Sequence, residues 1–181
     1  MKINLGSGIK RFEGFLNVDH DAHVNPDHVV NLNTQPLPFA DNSVDEVIAH
    51  HIFEHVGDGF FNLLQELYRV CAHEAVIHVQ VPHPRHDYFL GDLSHVRPIT
   101  IENMRPLSKK WCETQSYISS SWGGFARSLN VDFEIFDYDY KFDETFTQLY
   151  AHLSHAELDW AARAWNNVIT EIHFKMMVIK S

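Results

Sequence analysis

Cysteine is nearly absent: Cys71 and Cys112 are the only two in 181 residues, too few for a disulfide framework, and both read as reduced, packed thiols. Basic residues are also scarce. Fourteen Lys and Arg stand against twenty-four Asp and Glu, a formal charge of −10, and no basic block offsets the acidity. Nucleic-acid and anionic-membrane surfaces rest on clustered Lys and Arg, so the composition argues against both partners. No apolar run approaches the roughly 20 residues that span a bilayer. Met1 to Gly8 has neither the apolar stretch nor the cleavage site of a signal peptide, so the expected address is cytoplasmic. There is no internal repeat and no low-complexity segment. With 45% hydrophobic and 21% charged residues, the chain reads as one soluble globular domain over residues 1–181. Histidine is the exception to these scarcities. Fourteen of them exceed ordinary structural need, and some are candidates for chemistry.

The residues present fall into short apolar runs bounded by turns. Lys2 to Leu5 is β-prone and ends in Gly6-Ser7-Gly8, where the chain turns with little side-chain bulk. Phe15 to Val18, ending at Asp19, predicts a second strand, His28 to Leu32 a third, and Val44 to Ala49 a fourth. From Gly59 to Cys71, Phe60, Leu63, Leu64, Leu67 and Val70 recur at spacings of three and four, the signature of a helix with one face on a sheet. Ala75 to Val81 predicts a fifth strand, stopped by Pro82 and Pro84. His83 to Lys110 has no long period and reads as an ordered loop with one helical turn at Ile101 to Arg105. Val131 to Phe142 alternates as a strand. Ser154 to Trp165 predicts a helix opened by a Ser154/Glu157 capping box, and Ile169 to Ile179 a last strand. Strands alternating with helical or turn segments indicate an α/β domain with a mainly parallel sheet.

Ligands of such sheets bind outside the carboxyl ends of the strands, at a switch in winding direction. Gly6 and Gly8 follow the first strand, and Asp19, a carboxylate suited to two ribose hydroxyls, closes the second. His50, His51 and His55 follow the fourth.

Leu5 to Gly8, Phe15 to Asp19, Leu37 to Asp45, Ala49 to Val56 and Glu66 to Val70 together resemble the class I S-adenosylmethionine-dependent methyltransferases, in particular the small branch related to the methyltransferase type 11 domain. The resemblance runs in order from Lys2 to Pro82 and extends through Asp92 to Thr100. It implies a Rossmann-like methyltransferase fold, a mainly parallel seven-stranded sheet with an antiparallel last strand, and S-adenosylmethionine as cofactor. Gly6, Ser7 and Gly8 match the glycine loop around the cofactor's methionine, and Asp19 the ribose-binding acid. Asn31, Leu32 and Asn33 match the segment that reaches the adenine edge; His50, with His51 and His55 beside it, follows the strand that meets the amino-acid end. Two departures stand out. Only the ten residues Ile9 to Val18 separate Gly8 from Asp19, so the first crossover is shortened to a single helical turn at most. The adenine-edge position, commonly Asp, is Asn31 or Asn33. The chain starts at its first strand, so the site is expected to be open, or closed by substrate or by a second copy in a homodimer.

The expected activity is methyl transfer to an acceptor that is a small molecule or sugar rather than nucleic acid. His83, His86, Asp92 and His95 follow the fifth strand and are the candidate catalytic groups, with Arg97 available to hold an anionic acceptor. Trp111 or Trp122 could line the acceptor pocket. The alternatives are a His-rich metal-dependent enzyme and a catalytically silent nucleoside-binding module. His51 and His55 would share a helix face, and His83, His86 and His95 one loop, but without a His-Glu-x-x-His sequence or a nearby cysteine no metal ligand is assigned.

Overall fold

The computed structural model describes residues 1–114 and 124–180. Seven strands, β1 (Lys2–Leu5), β2 (Phe15–Asp19), β3 (His28–Val29), β4 (Val44–His50), β5 (Cys71–Pro82), β6 (Phe133–Phe142) and β7 (Ile169–Val178), form one sheet in the order β3-β2-β1-β4-β5-β7-β6. The first five pair in parallel, whereas β7 is antiparallel to both neighbours. Order reverses between β1 and β4, which places the switch point beside Gly6 and His50.

Alternation along the strands sends Ile3, Leu5, Val18, Val47, Ala49, Ile77, Val79, Val81, Ile172, Phe174 and Met176 to one face, where they form the core. Helix α1 (Phe60–Val70) buries Phe60, Leu63, Leu64, Leu67 and Val70 in that core, the face its periodicity predicted. The opposite face carries a cross-strand polar ladder in place of a second apolar layer. Lys2 and His78 both pair with Glu46 at 2.7 and 3.1 Å, Lys175 pairs with Asp137 at 2.8 Å, and Gln80 and His173 meet Glu171. The first crossover is short: Ile9–Gly14 contains no helix, not even the single turn expected, and it offers that side the Phe12 ring, beside Phe15 and His50, in place of a helix face.

Other differences have local causes. Strand β3 stops at Val29 because the next residues fold into a turn in which the Asn31 side chain accepts from Asn33 N–H and the Asn31 carbonyl from Thr34 and Gln35. Strand β5 starts early, at Cys71, and accommodates the extra residues as a bulge with Glu74 at φ 64°. In the stretch read as loop, α3 (Ile101–Met104) is the helical turn expected at Ile101 to Arg105, whereas α2 (Asp87–Leu90) and, at its end, α4 (Lys109–Thr114) were not anticipated; both are too short to show a period. Helices α5 (Phe125–Leu129), α6 (Glu144–Leu149) and α7 (His155–Ala164) complete the fold, and α7 has the Ser154/Glu157 capping box as read. No described helix is long and apolar enough to cross a membrane.

Candidate functional site

Beyond the ends of β1, β2 and β4 lies a cavity of about 520 Å³ lined by Gly6, Gly8, Asp19, His20, Val30, Asn31, Leu32, Asn33, Ile52, His55, Val56 and Ser94, a size suited to a small-molecule ligand. Its floor is built by backbone. Gly6 and Gly8 take φ of +58° and +48°, the left-handed region open to glycine. Ser7 is buried between them, with its N–H on the carbonyl of Val18. Asp19, 7% exposed, accepts the N–H of Gly8 at 2.8 Å on one oxygen and that of Asp21 at 2.9 Å on the other. Two backbone donors thus fix the carboxylate plane, and each oxygen keeps a lone pair for a ligand hydroxyl. Across the cavity the two asparagines differ. The Asn33 side-chain oxygen accepts from Gly57 N–H at 2.9 Å and ties this loop to the segment after β4. Asn31 is exposed and, among the described residues, bonds within its own turn and to Gln35.

Of the histidines after β4, only His55 lines this cavity. His50 turns to the other face of the sheet. Its ring meets Phe12 edge-on at 5.8 Å and lines a separate 310 Å³ cavity with His78, Gln80, His173 and Lys175. Burial lowers its pKa to about 4. His51, at φ 52°, lies between Glu54 and Glu171 at 3.4 and 3.3 Å, and Glu54 beside it raises its pKa.

The groups after β5 separate in space. Asp92 accepts both the N–H and the hydroxyl of Ser94, at 2.8 and 2.6 Å, and Ser94 Oγ lies 3.0 Å from His55 Nδ1. Ser94 has spent its one proton on Asp92, so His55 Nδ1 is the donor to Oγ. His95 Nδ1 donates to the Phe89 carbonyl at 3.0 Å, and the His55 and His95 rings meet at 4.6 Å. His83 and His86 are elsewhere. His86 is 4% exposed; its Nδ1 caps α2 by accepting from Tyr88 N–H, and its Nε2 lies 3.5 Å from Asp143, the cap of α6. His83 Nδ1 accepts from Arg85 N–H at 3.2 Å. Arg97 donates from Nε and Nη2 to the carbonyls of Val56 and Gly57 and stacks on Phe60 at 4.6 Å. Trp111 packs with Arg105, Lys110, Glu134 and Ile135 at the start of β6, which runs parallel to β5, so it lies at the opposite end of the sheet from the cavity. Trp122 lies outside the described residues.

Burial lowers the His83 pKa to about 4, and this gives a stability test. The unfolded chain binds the proton near pH 6.5 and the folded chain does not, so the contribution is complete above pH 6.5 and is lost as pH falls toward 4. Halved for solvent screening, the loss from pH 7 to 5 is about 1 kcal/mol. His83→Asn keeps an acceptor for Arg85, and its melting temperature should fall less over that interval than the wild type's. Parallel curves would show that His83 titrates normally.

Glu54, Ile52, Val56 and Ser94 were not anticipated. The apolar pair contributes walls, and His20 lies beside Asp19 at 3.3 Å. An acid set in Ile52-Phe53-Glu54-His55-Val56 was the one available signal for Glu54: it falls between apolar residues and is fully buried.

Residues 8–79 match the family model described as a methyltransferase domain. Solved structures match over nearly the whole chain. One, a SAM-dependent methyltransferase from Archaeoglobus fulgidus, is 17% identical with a TM-score of 0.63, over 97% of this chain and 85% of that one. An S-adenosylmethionine-dependent methyltransferase from Mesorhizobium loti is 13% identical with a TM-score of 0.54, over 97% and 89%. The [4+2]-cyclase SpnF is 14% identical with a TM-score of 0.56, over 99% and 75%. No curated protein is detectably similar in sequence.

Proposed function

We propose that this chain, which has the fold of solved S-adenosylmethionine-dependent methyltransferases and matches a methyltransferase domain over residues 8–79, transfers a methyl group to a small-molecule or sugar acceptor. The observation that carries the reading is the Asp19 carboxylate, held by Gly8 and Asp21 N–H at the wall of a cavity that also contains the Asn31–Asn33 loop. The donor set suits S-adenosylmethionine. A fixed buried carboxylate suits the two ribose hydroxyls, and a glycine loop whose Gly8 has no protein atom within 4 Å of an added Cβ leaves room for the methionine part. Either asparagine can meet the adenine edge, since the Asn31 oxygen accepts one backbone N–H, from Asn33, and the Asn33 oxygen one, from Gly57, and each keeps a second lone pair.

When bound, S-adenosylmethionine supplies an electrophilic methyl group on a sulfonium, and displacement there needs alignment and exclusion of water more than a nucleophilic side chain. Ile52, Val30 and Val56 line the cavity with apolar surface, which restricts water beside the cofactor. Ser94 and Asp92 hold the His55 ring at the cavity edge. The charge of −10 and the lack of a basic block favour a small acceptor over nucleic acid. The cyclase among the structural neighbours keeps a second reading in view, since the same fold serves other chemistry.

The deciding measurement is release of S-adenosylhomocysteine from labelled cofactor across panels of hydroxyl, amine, carboxylate and sugar acceptors. Turnover with a small acceptor supports the proposal. Cofactor binding without turnover on any class would overturn it in favour of a silent module or another chemistry.

A further inference from the structure

Glu54 is 0% exposed, and neither of its carboxylate oxygens has a hydrogen-bond partner among the described residues. His51 Nδ1 is 3.4 Å from Oε1, long for a good hydrogen bond. Leaving a buried carboxylate without donors costs several kcal/mol in general, so its position calls for a compensating charge. Glu54, His55 and His95 each place one ligand-capable atom within 4.8 Å of the other two.

The hydrogen bonds around the two rings fix which nitrogens are free to ligate. His95 Nδ1–H is spent on the Phe89 carbonyl, and His55 Nδ1–H on Ser94 Oγ, itself bonded to Asp92. In the neutral rings both Nε2 atoms therefore carry lone pairs. A ring nitrogen tied to an outer acceptor while the other stays free is the usual arrangement of metal-ligating histidines. Asp92 Oδ2 lies 3.7 Å from His95 Nε2, adding negative charge on the same side. Ligand bonds of roughly 2.0–2.2 Å put ligand atoms about 3–3.6 Å apart, so closure by at most about 1–2 Å would complete the site.

We propose that Glu54, His55 and His95 form a binding site for one divalent transition-metal ion at the rim of the cofactor cavity. Two imidazoles and one carboxylate favour zinc, iron(II) or manganese(II) over magnesium or calcium, which take all-oxygen sets. Three protein ligands leave coordination positions open. His55 and Ser94 line the cavity, so an open position faces it, and on the methyl-transfer reading, on which this clause rests, it would hold an acceptor through an oxygen atom.

The test uses the full chain, stripped of metal and titrated with Co²⁺ and Zn²⁺, with no cofactor present. The expected result is one ion per chain, visible absorption from bound Co²⁺ that Zn²⁺ displaces, and a rise in melting temperature with either ion. His95→Ala should weaken binding by at least roughly 100-fold, because even outer-shell changes cost 10 to 100-fold, and Ser94→Ala by about 10-fold. Glu54→Gln should abolish the metal-dependent rise while raising the melting temperature of the metal-free protein, since it removes a buried carboxylate whose contact with His51 is long. His55→Asn serves where Glu54→Gln does not fold. No saturable binding of either ion to folded wild type, or equal binding by wild type and His95→Ala, would overturn the site. Binding of S-adenosylhomocysteine to metal-free wild type is measured separately; its absence would remove the methyltransferase reading and leave the metal site standing.

Discussion

Asp19→Ala should weaken binding of S-adenosylhomocysteine by about 1.5–3 kcal/mol, roughly 10 to 150-fold, through loss of charge-assisted hydrogen bonds to the ribose. The structure adds a second consequence. Asp19 is the acceptor for the N–H groups of both Gly8 and Asp21, so truncation releases the glycine loop along with the ribose contact, and the metal-free melting temperature should fall too. Asp19→Asn separates the effects. Its amide has one oxygen, so one of the two backbone N–H groups must face an NH₂ group, and the loop is disturbed while half of the acceptor capacity stays. Calorimetry should rank affinity as wild type, then Asp19→Asn, then Asp19→Ala. Undiminished affinity in Asp19→Ala would remove this residue from the cofactor site.

Gly8→Val should bind no measurable cofactor and still fold, whereas Gly6→Ala should lose stability first. Both glycines have positive φ, but their surroundings differ. A Cβ on Gly6 would lie 2.5 Å from Ile52 Cδ1 and 2.7 Å from Cγ1, closer than real carbon atoms approach, so Ile52 or the loop must move. Backbone strain of about 1–2 kcal/mol and overpacking of about 1–3 kcal/mol add there. A Cβ on Gly8 meets no protein atom within 4 Å and costs mainly backbone strain, of about 2 kcal/mol for a β-branched residue. The space it enters is the cavity edge. The measurement pairs thermal melting with cofactor titration for both variants. A Gly8→Val protein that melts near wild type and binds normally would reduce the glycine loop to a turn.

The strands were legible because each sets apolar residues on one side of a period-two pattern, and α1 because its apolar residues repeat at three and four. Short helices such as α2 and α6 escaped for the opposite reason. One turn of helix has no period, and their starts depend on caps from His86 and Asp143, a histidine being an unusual cap. The polar second face of the sheet was half visible: Lys2, Glu46, His78, Gln80, Glu171, His173 and Lys175 alternate with the core residues, but only the strand order brings them together as one ladder.

The residue types of the cavity, a glycine loop, an acid closing the next strand and an Asn-Leu-Asn segment after the third, could be read along the chain, because chemistry directed at the carboxyl ends of parallel strands is local to each strand end. What the chain could not reveal was the partition of the histidines. His50 and His55 are five residues apart, yet one belongs to each side of the sheet, because the chain leaves β4 through a left-handed residue at His51 and a tight turn at Phe53–His55. His95 meets His55 across forty residues, and Glu54 is buried against both. Sequence alone determined which groups follow which strand and hence the residues proposed for the cofactor. Tertiary structure decided which side chains share a volume, because contact between distant segments depends on loop paths and packing that no local periodicity encodes.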